Sequence, residues 1–230
     1  YLGENQGFAK ALNVGLDAVD TAYVLRADPD DILLPGRIGA QWDYLEKHPE
    51  LSGVGCNVEY FDSQSGKPLL RSNFPTGAES IARRYAKGEH GLQHPTVMLR
   101  TASMEGIRYR QAHVPAEDYD LFARMVAMGH RFDNIPQVLY SMRVHSQSAS
   151  SRIGFDTVRK TYALREEIFG KRTGQLAQLR YYYHILLYRR ALLHGSPAAR
   201  ALLLALSASL YPGKLIARVR RSAHIKQIDH

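Results

Sequence analysis

The chain has 230 residues, which suits one domain with an appendage or two small domains at roughly 100–200 residues per domain. Hydrophobic residues make up 45% and charged residues 23%, so disordered, collagen-like and fibrous classes are excluded. The single cysteine, Cys56, cannot form an internal disulfide, and a reducing compartment is expected. No apolar run reaches the ~18–20 residues that a membrane-spanning helix needs.

The net charge of +8 is unevenly distributed. Residues 1–150 carry 15 basic and 18 acidic side chains, whereas residues 151–230 carry 15 basic and 4 acidic ones. This asymmetry indicates two functional halves, with the basic half facing an anionic partner such as nucleic acid or a membrane leaflet. A solvated helix surface is the alternative interpretation.

Strands alternate with helices over the first 150 residues. In chain order the patterns predict a helix over 5–18, a strand over 21–27, a helix over 35–47, a strand over 51–61, a helix over 76–87, a strand over 94–100 and a helix over 117–128. Asn5 is expected to cap the first helix, and Pro35 suits the first turn of the second. The pattern predicts an α/β layered domain over 1–150 and a basic helical extension over 151–230, with a boundary near Ser150.

An acidic loop, Arg26-Ala27-Asp28-Pro29-Asp30-Asp31, directly follows the first predicted strand. Loops at the carboxyl ends of strands line the ligand crevice of α/β sheets. Three neighbouring carboxylates repel one another by about 1 kcal/mol per pair in water at ~4 Å, and a divalent cation such as Mg²⁺ or Mn²⁺ would offset that repulsion. Helix capping by the aspartates explains the same stretch equally well.

A second acidic group, Glu117-Asp118-Tyr119-Asp120, opens the helix over 117–128. The helix dipole favours an ionised carboxylate at this end. An ionised carboxylate within reach of a substrate hydroxyl is what a general base requires. Capping of the helix by Asp118 is the alternative.

Five segments, in this order, resemble the signatures of family 2 glycosyltransferases, the inverting, nucleotide-sugar-dependent group with the GT-A fold: NQGFAKALNVG (5–15), ADPDDILLPGRI (27–38), HPTVMLR (94–100), AEDYDLFAR (116–124) and YSMRVHSQS (140–148). The resemblance covers residues 4–150 and implies a GT-A-like, Rossmann-like domain. The family's first strands have no counterpart before Tyr1, so an N-terminally truncated domain with an incomplete donor pocket is expected. The Gln-x-x-Arg-Trp motif of processive synthases is absent from the sequence, which favours addition of a single sugar.

The resemblance also implies roles for single residues on the donor side. Asp28 and Asp30 match the family's DxD motif, with Asp30 as the direct ligand of Mn²⁺ or Mg²⁺ and Asp28 at the ribose or the metal. His145 falls near the diphosphate or the metal, and a solvated loop histidine is its alternative. The implied donor-binding residues are Asn5, Lys10, Asn13, Arg26, Asp28 and Asp31.

On the acceptor side, Asp118 matches the family's catalytic base, with Glu117 beside it. His94 falls near the acceptor, and a hydrogen-bonded structural histidine is an equal alternative. The resemblance therefore implies inverting transfer from a nucleotide-sugar to a carbohydrate or lipid-linked acceptor, in cell-surface polysaccharide or glycolipid synthesis. An inactive GT-A fragment that serves as a binding or scaffold module is the alternative.

The basic tail holds 11 Lys and Arg but one acidic residue from Lys171 to His230. An apolar run over 201–210 is too short to span a bilayer, but it would lie in the interface of an anionic membrane beside Lys214, Arg218, Arg220 and Arg221. The alternative is that its leucines, Leu202, Leu203, Leu206 and Leu210, pack against Leu186 and Leu187. No nucleic-acid-binding module surrounds the arginines, so no nucleic acid is expected as a partner. The expected location is the cytoplasm, including the inner face of the cell membrane.

Overall fold

The structure is a computed structural model that describes residues 3–145, 154–193 and 196–211. The helices are α1 (Phe8–Asp17), α2 (Arg37–Lys47), α3 (Ala78–Tyr85), α4 (Glu117–Ala127), α5 (Phe155–Phe169), α6 (Gln175–Leu193) and α7 (Pro197–Leu210). The strands are β1 (Tyr23–Leu25), β2 (Ile32–Leu33), β3 (Gly53–Asp62), β4 (Pro68–Arg71), β5 (Met98–Arg100) and β6 (Phe132–Val144). The predicted α/β layers followed by helices are confirmed.

The strands form one mixed sheet in the order β1-β5-β3-β6-β2, with β4 paired to the outer part of β3. The long strands β3 and β6 run parallel, and the other described pairs are antiparallel. Close packing at the sheet centre requires glycine in β3. A Cβ on Gly53 would lie 2.5 Å from Leu99 Cδ2, and one on Gly55 would lie 2.4 Å from Asn134 Oδ1.

Two hydrophobic clusters hold the helices to the sheet. The larger cluster joins α3, α4 and α5 and includes the buried side chains of Ile81, Phe122 and Leu164. The smaller one packs Leu45 of α2 with residues of β3 and β6, among them Tyr140. Burial of these apolar surfaces is the main stabilising contribution to the fold.

Two predicted helix starts are wrong, and glycine explains both. Gly7 adopts φ +88°, so α1 begins at Phe8, and the Asn5 side chain accepts a hydrogen bond from the Gly7 N–H (3.0 Å) instead of capping the helix. Gly36 adopts φ +81°, so α2 begins at Arg37 and Pro35 lies before its first turn. A residue with positive φ cannot continue a right-handed helix, and glycine adopts that conformation without steric cost.

The strand predicted over 94–100 begins with a 3-10 turn, His94–Thr96. The carbonyl of Gln93 accepts from both the backbone N–H (2.9 Å) and the hydroxyl (2.7 Å) of Thr96. Pro95 has no N–H to donate to a neighbouring strand. The segment therefore joins the sheet only at Met98, and His94 lies in a tight turn.

Strand β6, which has 13 residues and contains Pro136, is not predicted by the sequence pattern. The β3–β6 ladder shifts register here, since Cys56 pairs with Ile135 but Asn57 pairs with Val138. The Asn57 side-chain amide donates to the Pro136 carbonyl (2.8 Å). An irregularity of this kind lets a sheet accommodate a proline.

The helices after β6 continue from the same core. Leu164 of α5 is buried in the larger cluster, and α7 packs along α6, where the Ser207 hydroxyl donates to the His184 carbonyl (2.9 Å). The boundary predicted near Ser150 lies outside the described residues, as do Lys214, Arg218, Arg220 and Arg221. Within the described ranges, no helix has both the length and the apolar character to cross a membrane.

A buried ion cluster holds the start of α4. Asp120 is fully buried and accepts hydrogen bonds from the guanidinium groups of Arg110 and Arg124. Burial alone raises the pKa of Asp120, but the bonds from Arg110 and then Arg124 outweigh it, so the pKa is lowered. Arg110 also contacts Glu167 of α5 (3.3 Å), and the cluster therefore links two helices.

We expect Asp120→Asn to lower the free energy of unfolding by about 3–5 kcal/mol at neutral pH, because it leaves two arginines around an uncharged amide. Because the pKa of Asp120 is lower in the folded protein than in the unfolded chain, its carboxylate stabilises the fold at pH values above the unfolded pKa. This contribution disappears as the pH falls through the folded pKa. The difference between variant and wild type should therefore shrink below about pH 4. Urea unfolding across pH measures it.

The matched control is Asp156→Asn, which breaks an ion pair with Arg159 on the helix surface, where Asp156 is 93% exposed. It should unfold like the wild type. An Asp120→Asn variant as stable as the wild type at neutral pH would contradict the stabilising role of the cluster.

Candidate functional site

The acidic loop after β1 is held by β6. The Asp28 N–H donates to the Tyr140 hydroxyl (2.9 Å). Arg143 donates from its backbone N–H to Asp31 Oδ1 (2.8 Å) and from Nε to the Asp30 carbonyl (2.8 Å). Burial raises the pKa of Asp31. These contacts give the loop a defined shape and make Asp31 one of its anchors.

The other two carboxylates of the loop have different partners. Asp28 forms an ion pair with Arg26, and its side chain is 26% exposed. Asp30 is more open, at 50% exposure, and its Oδ2 lies 3.4 Å from His145 Nε2. Asp30 and His145 therefore lie together at the surface, while Asp28 lies deeper beside a permanent positive charge.

A buried arginine is hydrogen-bonded to the start of the acidic loop. Arg37 is 1% exposed, and its guanidinium donates to the carbonyls of Arg26 (2.9 Å) and Pro95 (3.0 Å) and to Gln41 Oε1 (2.9 Å). Gln41 in turn donates to the carbonyls of Val54 (2.8 Å) and Thr96 (2.8 Å). One network therefore joins α2, β3, the start of the acidic loop and the turn at His94.

At the start of α4, the two neighbouring carboxyl groups differ in access. The Asp118 side chain is 25% exposed, and its Oδ1 accepts the Tyr119 N–H (2.7 Å). Glu117 is 9% exposed, and burial raises its pKa. Of the pair, Asp118 is the carboxyl group that a solvent-borne molecule can reach.

His94 lies where the two acidic segments meet. Its ring is buried, and Nε2 forms a 2.7 Å hydrogen bond with the Tyr109 hydroxyl. Burial lowers the pKa of His94 to about 4, and the charges of Asp118 and Asp28 both act on the ring. The imidazole is thus neutral at neutral pH and forms the floor between the segments. A direct contact of His94 with an acceptor stays a prediction.

The predicted residues on α1 have other surroundings. The Asn13 side chain exchanges two hydrogen bonds with the backbone of Tyr109, at 2.8 Å each, so it tethers α1. Lys10 and Asn5 are exposed. The helix reaches the acidic loop through Phe8, over whose ring the Arg26 guanidinium lies at 5.5 Å. Donor contacts by Asn5, Lys10 and Asn13 stay predictions.

Asp30 and His145 fit a divalent cation in part. Two ligands of one ion lie about 3 Å apart when each is bound at 2.0–2.1 Å in octahedral geometry, close to their 3.4 Å separation. Both are accessible, and Mg²⁺ or Mn²⁺ completes its shell with water and substrate phosphates. Over the described ranges, however, no group of three His, Cys, Asp or Glu side chains is arranged to hold a metal ion.

Three residues that shape the site were not predicted from the sequence: Arg37, Tyr109 and His90. Arg37 and Gln41 lie four positions apart, on the face of α2 that also carries the buried Leu45. A polar pair at this helical spacing among apolar residues was the available signal. Tyr109 and His90 lie in loops, where no periodicity marks them.

The sequence matches known proteins as follows. Residues 1–110 match the family model "Glycosyl transferase family 2". The amylovoran biosynthesis glycosyltransferase AmsE of Erwinia amylovora is 33% identical over 174 residues, which are 75% of this chain and 64% of that protein. The UDP-Gal:alpha-D-GlcNAc-diphosphoundecaprenol beta-1,3-galactosyltransferase of Escherichia coli is 29% identical over 66% of this chain and 55% of that protein.

Among solved structures, the mannosyltransferase PcManGT from Pyrobaculum calidifontis in complex with GDP-Man and Mn²⁺ aligns with a TM-score of 0.49 at 18% identity, over 95% of this chain and 64% of that one. S. aureus TarS 1-349 in complex with UDP aligns with a TM-score of 0.48 at 16% identity, over 78% and 49%. The chain spans less than two thirds of the length of the relatives it matches, between 55% and 64% for these two. By its sequence matches, the chain belongs to glycosyl transferase family 2.

Proposed function

We propose that the chain transfers a sugar from a nucleotide-sugar donor to an acceptor hydroxyl with inversion at the anomeric carbon. The observation that carries the proposal is that both acidic segments pack beside His94, since Arg37 joins the carbonyls of Arg26 and Pro95 and the His94 ring lies 6.0 Å from the Phe122 ring of α4. A carboxylate that solvent reaches, and an acidic loop that would hold the donor diphosphate through a divalent cation, are the two parts that such a reaction needs.

Asp118 is the general base of the proposed reaction. Its Oδ1 is engaged by the Tyr119 N–H, so Oδ2 takes the proton as the acceptor oxygen attacks the anomeric carbon. The bond from that carbon to the diphosphate oxygen breaks on the opposite face, which inverts the configuration.

The acidic loop holds the donor in this proposal. Asp30 and His145, with Asp28 nearby, would bind Mn²⁺ or Mg²⁺, which supplies positive charge to the leaving diphosphate. The guanidinium of Arg26 is held by Asp28 and by the Ala27 carbonyl, which places a fixed positive charge beside the same loop. Lys10, exposed on α1, adds a second cation for the phosphates.

The named relatives support a role in cell-surface glycan synthesis. One is a protein of amylovoran biosynthesis, and another acts on a GlcNAc-diphosphoundecaprenol acceptor. We extend this class of carbohydrate or lipid-linked acceptor to the present chain. An inactive scaffold is not favoured, because the relatives are glycosyltransferases and because, among the described residues, the ion-pair partners of Asp118 and Asp30 are histidines.

We expect Asp118→Asn to lower turnover on the order of 10²–10⁴-fold, because it removes the general base. Donor binding should be unchanged, because the acidic loop is left intact. The measurement is release of nucleoside diphosphate from UDP-, GDP- and dTDP-sugars with Mn²⁺, together with calorimetry of UDP binding.

Asp133→Asn is the control for this assay. Asp133 accepts the Tyr44 hydroxyl (2.9 Å) on the α2 side of the sheet, and its replacement should preserve turnover. Near-normal transfer by Asp118→Asn would refute the assignment of the base. If the chain bound UDP but released no diphosphate with any donor, the scaffold alternative would be supported instead.

The metal role predicts that EDTA abolishes transfer and that Mn²⁺ or Mg²⁺ restores it. Asp30→Asn and His145→Ala should each weaken Mn²⁺ binding in the presence of UDP by about 10-fold or more, because each removes a direct ligand. Electron paramagnetic resonance of free Mn²⁺ measures this without an activity assay. Asp62→Asn, at the end of β3, is the control, and equal Mn²⁺ affinity in all four proteins would exclude the metal site.

We further propose that α6 and α7 attach the protein to an anionic membrane surface. Residues 175–211 contain four arginines and no acidic residue. Leu202 is 61% exposed and Leu206 is 46% exposed, one turn apart on α7, while Leu203 and Leu210 are partly buried. The packing alternative therefore accounts for Leu203 and Leu210. The exposed leucines, on a segment that carries four arginines, suit an interfacial helix.

Flotation with phosphatidylglycerol vesicles tests the attachment. We expect the protein to float with these vesicles at low salt and to be released at high salt, because the attraction is electrostatic. The double variant Leu202→Ser/Leu206→Ser should float less, whereas Ile38→Ser, at a 61% exposed site on α2, should float like the wild type. Absence from the vesicle fraction at both salt concentrations would leave helix packing as the role of this stripe.

A further inference from the structure

The carboxylate of Asp118 faces a histidine from another segment. His90 Nδ1 lies 3.5 Å from Asp118 Oδ2, the oxygen that the Tyr119 N–H leaves available. The side chain of His90 is 43% exposed, so its ring contacts both the carboxylate and the solvent. The ring also packs edge-on against the Tyr119 ring, with centroids 5.7 Å apart.

The segment that carries His90 is held by close packing and by a hydrogen bond. Gly88 adopts φ +79°, and a Cβ on Gly91 would lie 2.7 Å from Ile81 Cγ2, so the turn packs closely on α3. The Gly91 carbonyl accepts from the buried side chain of Asn134 (2.9 Å). Such anchoring holds the imidazole beside the carboxylate instead of leaving it on a free loop.

The groups around Asp118 differ in their ability to take a proton from it. Glu117 is a buried carboxyl group whose pKa burial raises, and the Nε2 of His94 is engaged by Tyr109 in the buried floor. Arg26, whose charge lowers the pKa of both His94 and Glu117, is a permanent cation. Glu89, beside His90 in sequence, pairs with Arg84 (3.6 Å). Among these described neighbours, His90 is the base that also reaches water.

We propose that His90 is a positioning residue for Asp118 that also takes over the proton which Asp118 receives from the acceptor. This inference rests on the proposed function. The acceptor O–H bond breaks as its oxygen bonds to the anomeric carbon, and the proton passes to Asp118 Oδ2. It then moves to Nδ1 of the imidazole in the tautomer that carries its hydrogen on Nε2, and the imidazolium releases that Nε2 proton to solvent. Asp118 is thereby ionised again, and proton exchange with water returns the ring to its starting tautomer.

Replacement and chemical rescue of His90 test the proposal in the full chain. His90→Ala should lower kcat by about 10-fold or more with the KM for the donor unchanged, and added imidazole should restore part of the loss in proportion to its concentration. A histidine with a purely structural role would give no such rescue. His48→Ala is the matched control, since His48 Nδ1 lies 3.4 Å from Glu50 Oε1 at 41% exposure, and its turnover should equal that of the wild type.

A second measurement does not depend on turnover. Once the Nε2 proton has left, the Asp118 carboxylate accepts the Nδ1–H, which makes Nε2 the unprotonated and more basic nitrogen. Asp118→Asn should therefore slow the acylation of His90 at Nε2 by diethyl pyrocarbonate. Peptide mass spectrometry follows each histidine separately, and the rate at His48 should not change.

The outcomes separate the two proposals. Full turnover in His90→Ala while Asp118→Asn is inactive, or a loss that imidazole does not rescue, would overturn the role of His90 and leave the proposed function intact. If the wild-type chain transferred no sugar, the proposed function would fail. The acylation rates would then decide the coupling, because equal rates in wild type and Asp118→Asn would refute it.

Discussion

The arrangement of the site depends on the buried guanidinium of Arg37. No carboxylate among the described residues pairs with it, and burial lowers its pKa. Its desolvation is offset by bonds to the carbonyls of Arg26 and Pro95 and by the Tyr140 ring, which lies 4.8 Å from its Cζ. The carbonyl of Arg26 begins the acidic loop, and that of Pro95 follows His94. One side chain therefore joins the acidic loop to the turn at His94.

Four of the carboxylates near the site form two pairs according to their partners. Asp28 and Asp120 pair with arginines, whose charge does not change in the accessible pH range. Asp30 and Asp118 face histidines, at 3.4 Å and 3.5 Å. Histidine exchanges protons and ligates metals near neutral pH. The arginine pairs thus suit the holding of loops, and the histidine pairs suit the proposed chemistry at the metal and at the base.

The sequence predicted the elements with strong periodicity and missed those that depend on distant contacts. Helices α2 and α4 follow apolar spacing, and both were predicted to within two residues. The strand β6 was not predicted, because Pro136 contradicts a strand locally and only the register shift opposite Asn57 accommodates it. Among the site residues, the acidic clusters were visible as motifs. The pairing of His90 with Asp118 was not, since it joins two segments 28 positions apart.

The helices beyond the predicted domain boundary also bear on the site. Lys160 of α5 donates to the Val114 carbonyl, just before α4, and Glu167 of α5 contacts Arg110 of the buried ion cluster. Helix α5 therefore contacts the segment that carries Asp118 at two separate points, in addition to its apolar contacts through Leu164. Helix α6 packs on α5 through the Tyr162–Tyr181 ring pair, with centroids 5.8 Å apart, so the basic helices and the segment of Asp118 belong to one connected set of packed elements. In the proposed function, attachment of α6 and α7 to a membrane would therefore also place the segment of Asp118 relative to that membrane.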